Sequence, residues 1–128
     1  MAERGLVLVC GGLGGVMESA AQGASESGGL TIGILPGAEI SKANPHIAVP
    51  VATGLSHMRN FPVVLNSDVV VAVEGEYGTL SEIGLALKSG RPVIALGRWS
   101  HLEGVISAAS VDEALRLFRK EFSKNGRE

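Results

Sequence analysis

The chain has 128 residues, a formal net charge of −2 and 45% hydrophobic residues, which fits one domain with a single core. The acidic balance gives no basic footprint for nucleic acid, and no apolar run approaches the about 20 residues of a membrane span. Met1 leads directly into a strand-like run without a secretory signal. The lone Cys10 cannot form an internal disulfide, which indicates a reducing, cytoplasmic setting.

Short runs of β-branched residues predict the strands. Four of them are continuous rather than alternating, which is typical of strands buried on both faces of a parallel sheet: GLVLVC (5–10), LTIGIL (30–35), VVVAV (69–73) and PVIAL (92–96). IAVPVATG (47–54) predicts a weaker strand, and Pro50 places it at an edge or in an irregular position.

Helical patterns lie between these strands. VMESAAQGASESGG (16–29) predicts a helix that stops at its Gly-Gly pair. TLSEIGLALKSGRP (79–92) predicts a helix that ends near Gly90, because Pro92 blocks its continuation.

Two further helices complete the pattern. SVDEALRLFRKEF (110–122) predicts a helix with a capping box formed by Ser110 and Glu113. Another helix is expected to begin near Asn60 or Phe61, because Pro62 is tolerated only in a first turn.

The alternation of strands and helices predicts an α/β fold. We expect a doubly wound, mostly parallel sheet with helices on both faces, in a single domain over residues 1–128. A nucleotide-binding sheet of this kind normally has a strand–helix unit before the strand that comes first here. Met1 to Gly5 reads as the tail of such a helix, which suggests that the chain lacks one βα unit.

The first glycine-rich loop, CGGLGGVMESA, follows the first strand and opens a helix. Such a turn lets the backbone approach a ligand and directs N–H groups and the positive helix end at an anion. The spacing matches neither a P-loop nor a dinucleotide fingerprint. A tight turn made for close helix–strand packing explains the same residues equally well. The candidate ligand-binding residues of this loop are Gly11, Gly12, Gly14 and Gly15.

The second loop, VEGEYGTLSEIG, also follows a strand and opens a helix. Thr79 and Glu82 form a T-x-x-E pattern, which predicts a capping box at the helix start. Ligands of open α/β sheets bind at the carboxyl ends of the strands. The pairing of two such loops therefore favours ligand binding over either loop taken alone.

Several motifs together resemble one known group of proteins. CGGLGGVMESAAQGA, ATGLSHMRN and VEGEYGTLSEIGLALKSGRPVIAL are similar to the Rossmann-like group often labelled "possible lysine decarboxylase". That group includes the LONELY GUY (LOG) cytokinin-activating phosphoribohydrolases and the molybdenum-cofactor carrier proteins. The phrases GLGGVME, ANP, ATG, RN and YGTLSEI resemble the carrier branch most closely.

The resemblance implies roles for particular residues. In the phosphoribohydrolases a PGGxGTxxE loop holds the nucleotide phosphate, and its final Glu and an Arg of an MHxRK-type segment assist cleavage of the N-glycosidic bond. By position, Gly75, Gly78 and Thr79 match the phosphate loop and are the candidate phosphate-binding residues of the second loop. Glu82 and Arg59 match the catalytic residues, and His57 matches the motif's histidine.

The chain also departs from the phosphoribohydrolase pattern. Glu74 stands in place of the Pro of PGG, Glu76 in place of its second Gly, and Asn60 in place of the Lys that follows the Arg. A carboxylate within about 4 Å of a phosphate raises its energy by about 1–4 kcal/mol, unless the two side chains point away to solvent.

Other chemistries find no support in the sequence. Cys10 and the three histidines lack metal-ligand spacing, so we expect no metal site. The serines Ser56, Ser81 and Ser100 lack a nucleophile-elbow context. Lys42 and Lys88 show no sign of being a pyridoxal phosphate lysine, which argues against a lysine decarboxylase.

We therefore predict a protein that binds a phosphate-bearing small molecule at its two glycine loops. The ligand class is a nucleotide or a nucleotide-like cofactor such as the molybdenum cofactor, and no cofactor is required for chemistry. Two alternatives stay open: a phosphoribohydrolase that cleaves nucleoside 5′-monophosphates with Arg59 and Glu82, and a non-catalytic assembly protein with a decayed site. The resemblance also implies a homo-oligomer, a dimer or tetramer. The apolar residues of the IGLALK helix are a candidate surface for its interface.

Overall fold

The structure is a computed structural model that describes residues 5–124 and, for Lys124, the backbone alone. Of the helix tail predicted at Met1 to Gly5, all but Gly5 lies outside the described residues. The chain divides into two compact units, Met1–Val63 and Val64–Glu128. In each unit, the described residues form one three-stranded parallel sheet, so the prediction of an α/β fold with parallel strands is confirmed.

The first unit contains a sheet with the strand order β1-β2-β3. Its strands pair in parallel, with Val9 opposite Ile32 and Ile32 opposite Val49. The helix α1 connects the first two strands, and two short 3-10 helices, Ile40–Lys42 and Ser56–Arg59, lie on either side of the third. The bounds are β1 Val7–Cys10, α1 Val16–Glu26, β2 Leu30–Leu35 and β3 Val49–Ala52.

The edge position of β3 agrees with the prediction made from Pro50. This strand pairs only with β2 among the described strands.

Thr31, which is 1% exposed, holds the segment that leads into β3. Its hydroxyl donates to the His46 carbonyl at 2.7 Å and accepts from the Ala48 amide at 2.8 Å. A buried hydroxyl with both roles filled carries no desolvation penalty for unpaired groups.

The helix α2 (Asn60–Leu65) begins at Asn60, as the position of Pro62 predicts. It continues directly from the 3-10 helix Ser56–Arg59. Arg59 is therefore the last residue of that 3-10 helix and directly precedes α2.

The second unit contains a sheet with the strand order β4-β5-β6. Its central strand is the most buried, because Val93, Ile94 and Ala95 are all 0% exposed. Helix α3 packs its apolar residues Ile83 and Ala86 into the same core. The bounds are β4 Val70–Val73, α3 Tyr77–Lys88, β5 Val93–Leu96, β6 Ile106–Ala108 and α4 Val111–Lys124.

The expected interface on the IGLALK helix is not supported by these positions. Ile83 and Ala86 are buried in the unit's own core, and Leu85 and Leu87 pack against it. The apolar side of α3 is thus occupied within its own unit. The homo-oligomer itself stays a prediction.

Both glycine-based helix stops are confirmed. Helix α1 is followed by Gly28 with φ +79°, and α3 by Gly90 with φ +79°. In each case an amide beyond the helix donates a hydrogen bond to a carbonyl near the helix end. The Gly29 amide donates to Ala24 O at 2.8 Å, and the Arg91 amide donates to Ala86 O at 2.9 Å. Glycine is needed there because the left-handed conformation is strained for other residues.

The two predicted capping boxes have different outcomes. At α4, Ser110 Oγ accepts from the Glu113 amide at 3.1 Å, and Glu113 Oε1 accepts from the Ala109 amide at 2.7 Å. At α3 the prediction is wrong, because the helix begins at Tyr77 and its N-cap is Glu76 without a side-chain cap. Thr79 therefore lies inside the first turn of α3.

Strand β6 was not predicted. Its three residues, Ile106, Ser107 and Ala108, are too few and too mixed in polarity to form a recognisable apolar run. It pairs in parallel with β5, with Ile94 opposite Ile106.

Candidate functional site

The first glycine loop runs from Gly11 to Gly15, between β1 and α1. Its first three carbonyl oxygens all accept hydrogen bonds from the protein. Arg59 Nη1 donates to Gly11 O at 2.5 Å, the Asn44 amide to Gly12 O at 2.9 Å, and Asn44 Nδ2 to Leu13 O at 2.8 Å. The acceptor side of the loop is therefore occupied by the protein's own donors.

The donor side of the same loop is different. Within residues 5–124, no hydrogen bond is donated by the amides of Leu13, Gly14 or Gly15. Gly15 is the N-cap of α1 and provides no side-chain cap. Unpaired amides next to a helix N-terminus carry partial positive charge. The loop thus has the polarity of an anion-binding turn.

Two glycines of this loop are required by close contacts. A Cβ on Gly11 would overlap the guanidinium of Arg59 and the sulfur of Met17. Gly12 has φ +78°, and a Cβ there would lie 2.8 Å from a Leu35 methyl carbon and 3.2 Å from Gly33 Cα. The loop packs directly on β2, which agrees with the alternative of a tight turn made for close packing. The predicted ligand binding by these glycines stays a prediction.

The guanidinium of Arg59 contacts the backbone of the first glycine loop. Its Nη1 also donates to Ile34 O at 2.9 Å, and its Nε donates to Asn60 Oδ1 at 3.0 Å. The guanidinium therefore joins the end of β1 to β2. The catalytic role predicted for Arg59 stays a prediction, whereas its positioning of Gly11 is observed.

Asn44 is a residue of this region that the sequence analysis did not select. It is 8% exposed, and its Oδ1 accepts from the His46 amide at 3.0 Å. Together with the bond from Nδ2 to Leu13 O, this engages the side chain's oxygen and one of its two N–H donors, while the bond to Gly12 comes from the backbone amide. The only available signal was its position in the Ala-Asn-Pro segment.

The second loop runs from Glu74 to Glu76, between β4 and α3. Glu74 has φ +56° and Gly75 has φ +102°. A Cβ on Gly75 would overlap the side chain of Thr79. Gly78 and Thr79 belong to the first turn of α3 rather than to the loop before it.

The acidic side chains of the second loop are directed to the segment Gly97–Trp99. Glu76 Oε2 lies 2.9 Å from Arg98 Nη1, and Glu74 Oε1 accepts from the Arg98 amide at 3.3 Å. Trp99 Nε1 donates to Gly75 O at 3.2 Å. Both carboxylates therefore have a partner in Arg98: Glu76 contacts its guanidinium, and Glu74 contacts its backbone amide. Neither Arg98 nor Trp99 was selected from the sequence.

Glu82 lies half-buried on α3, one turn after Gly78. Its predicted role in bond cleavage stays a prediction.

Among residues 5–124, no group of three His, Cys, Asp or Glu side chains is placed to hold a metal ion. None of the described helices combines the length and apolarity needed to cross a membrane.

The fold and the two loops define the class of protein. Parallel strands that lead through glycine loops into helices form a Rossmann-like α/β fold. The chain belongs to the SLOG cluster4 family, whose model matches residues 1–124. An uncharacterized protein of Archaeoglobus fulgidus is 43% identical over 115 residues, which cover 90% of this chain and 76% of the relative.

Solved structures of similar chains carry informative names. The molybdenum cofactor binding protein from the phototrophic bacterium Rippkaea orientalis is 41% identical, with a TM-score of 0.85 over 93% of this chain and 79% of that one. The molybdenum cofactor carrier protein of Chlamydomonas reinhardtii is 36% identical, with a TM-score of 0.85 over 95% and 81%. The predicted resemblance to the Rossmann-like LOG group and its carrier branch is confirmed.

Proposed function

We propose that this chain is a binding or carrier protein for a phosphate-bearing small molecule, with the molybdenum cofactor as the first candidate ligand. The observation that carries the proposal is the polarity of the loop Gly11–Gly15. Its carbonyls are held by Arg59 and Asn44, while the amides of Leu13 to Gly15 have no acceptor among the described residues. A phosphate monoester, which the molybdenum cofactor and nucleotides share, supplies the acceptors that such a turn lacks.

The second loop supports the same ligand class. Gly75, Gly78 and Thr79 are proposed as further phosphate-binding residues at the start of α3. The ion pair between Arg98 and Glu76 offsets the charge of that loop, which removes part of the repulsion that a phosphate would meet. The names of two relatives, at 41% and 36% identity, favour the molybdenum cofactor over an ordinary nucleotide.

Gly14 offers a direct test of the first loop. Its φ lies outside the left-handed region, and the nearest atom to an added Cβ is Glu18 Oε1 at 3.9 Å. Gly14→Ala and Gly14→Asp should therefore both fold. The aspartate places a negative charge at the proposed anion site, so it should weaken binding by at least about tenfold, or about 1.4 kcal/mol.

The measurement is isothermal titration with AMP, GMP and inorganic phosphate, supported by thermal-shift assays. We expect the wild-type chain and Gly14→Ala to bind at least one of these compounds, and Gly14→Asp to bind it weakly. Equal binding by Gly14→Asp would place the anion elsewhere. No binding and no thermal stabilisation by any compound would favour the assembly protein with a decayed site.

The same samples test the phosphoribohydrolase alternative. Assaying ribose 5-phosphate after incubation with the monophosphates measures cleavage directly. We expect no product above the level without protein. Product that disappears in Glu82→Gln would establish catalysis and replace the carrier proposal.

A further inference from the structure

The loop Glu74–Glu76 contains two carboxylates next to residues that we propose to bind phosphate. Each carboxylate has a partner in the short helix Gly97–Trp99, which follows β5 directly. The loop and this helix are joined at more than one point. The joining residues are therefore candidates for setting the loop's charge and conformation.

Three separate contacts hold the loop to this helix. The Arg98 guanidinium lies 2.9 Å from Glu76, the Arg98 amide donates to Glu74 at 3.3 Å, and the Trp99 indole donates to Gly75 O at 3.2 Å. The Glu74 amide also donates to the carbonyl of Leu96 at 3.2 Å. A non-glycine residue at φ +56°, as Glu74 is, needs such contacts because its backbone conformation is strained.

Arg98 is itself held by aromatic rings. Its guanidinium carbon lies 4.4 Å from the ring centroid of Trp99 and 5.4 Å from that of Tyr77. Trp99 is 8% exposed and belongs to the unit's core. A guanidinium that stacks on a fixed indole loses fewer conformations when it pairs with a carboxylate. This pair is thus better organised than an ordinary exposed ion pair, which contributes little.

The short helix Gly97–Trp99 also leaves room for the side chain of Glu74 at its first residue. Gly97 has φ +78°, and a Cβ at this position would overlap the Glu74 carboxylate. The carboxylate therefore lies directly against the backbone of Gly97. This close approach places Glu74 where the Arg98 amide can donate to it.

We propose that Arg98 is a positioning residue for the second glycine loop: its guanidinium offsets the charge of Glu76 and its amide holds the carboxylate of Glu74, so that the loop can accept an anionic ligand. This inference rests on the proposed function. It predicts that the loop tolerates its two glutamates only while Arg98 is present. Removal of the arginine should hinder an anion through uncompensated charge rather than through loss of fold.

The test compares Arg98→Ala, Arg98→Lys and the triple variant Arg98→Ala/Glu74→Gln/Glu76→Gln. Arg116→Ala is the matched control, since Arg116 is an exposed arginine of the same unit that pairs with Glu113 at 3.6 Å. The probes are AMP and inorganic phosphate, titrated at about 0.05 and about 0.5 M salt, conditions that differ strongly in screening.

We expect Arg98→Ala to weaken binding by about three- to tenfold at low salt, with a smaller deficit relative to wild type at high salt. The lysine should retain most of the affinity, the triple variant should recover to within about twofold, and Arg116→Ala should bind as wild type does. Recovery in the triple variant separates a charge role from a structural one, because that variant lacks the same guanidinium.

Two results would overturn the inference alone: wild-type affinity in Arg98→Ala, or a loss that the triple variant does not recover. Failure of the wild-type chain to bind either probe, or any other phosphate compound, would instead reject the proposed function and this inference with it. The two failures are distinguished by the wild-type titration.

Discussion

Single residues fix the first glycine loop by donating to its backbone. Arg59 and Asn44 together hold the carbonyls of Gly11, Gly12 and Leu13. Each bond to a buried carbonyl adds little net stability, but leaving such a carbonyl unpaired costs about 1–3 kcal/mol. The loop's conformation thus depends on side chains that lie outside the loop.

Gly12 provides a prediction at this scale. Gly12→Ala should lower the free energy of unfolding by about 1–3 kcal/mol, because φ is +78° and the Cβ would crowd Leu35 and the backbone of Gly33. Gly23→Ala is the matched control: it lies in α1 with nothing within 4 Å of an added Cβ, so it should raise stability by about 0.5–1 kcal/mol. Urea denaturation of both variants measures these changes, and equal effects would contradict the account.

At the scale of elements, the strands and helix ends that were predicted correctly depend on residues adjacent in the sequence. The runs VLVC, LTIGIL and VIAL became strands, and Gly28 and Gly90 ended their helices. The start of α3 was not predictable in this way. Its N-cap Glu76 has no side-chain cap, while the T-x-x-E pattern at Thr79 only imitates a cap.

The residues that build the loops were harder to predict because their partners are distant in sequence. Arg59 and Gly11 are 48 positions apart, Asn44 and Leu13 are 31 apart, and Arg98 lies 22 from Glu76. Their partners are mostly backbone atoms, which no residue pattern marks. The glycines could be selected from the sequence, but the side chains that hold them required the structure.

The capping box of α4 gives a prediction at this scale. Ser110→Ala removes the acceptor of the Glu113 amide and should cost about 0.5–2 kcal/mol of unfolding free energy. Ser25→Ala, at an exposed position within α1, should change stability by no more than about 0.5 kcal/mol. Chemical denaturation compares the two variants, and a Ser110→Ala protein as stable as wild type would show that the cap contributes nothing.

At the scale of the whole molecule, the chain combines a family fold with two glycine-rich loops, of which only the second carries charged side chains. The SLOG cluster4 model covers residues 1–124, and similar solved chains are named as molybdenum cofactor binding and carrier proteins. The first loop keeps the polarity that an anion needs. The second carries two glutamates and a compensating Arg98. We therefore propose that this chain binds an anionic ligand and that Arg98 contributes to the binding.

The most direct measurement is the pterin and molybdenum content of the chain purified from a host that makes molybdenum cofactor. An isogenic host blocked in pterin synthesis, and the variants Gly14→Ala and Gly14→Asp, are prepared in parallel. We predict fluorescent pterin after oxidation in the wild-type chain and in Gly14→Ala from the competent host, none from the blocked host, and at least about tenfold less in Gly14→Asp. A wild-type chain with no more pterin than Gly14→Asp or the blocked-host sample would contradict the carrier proposal.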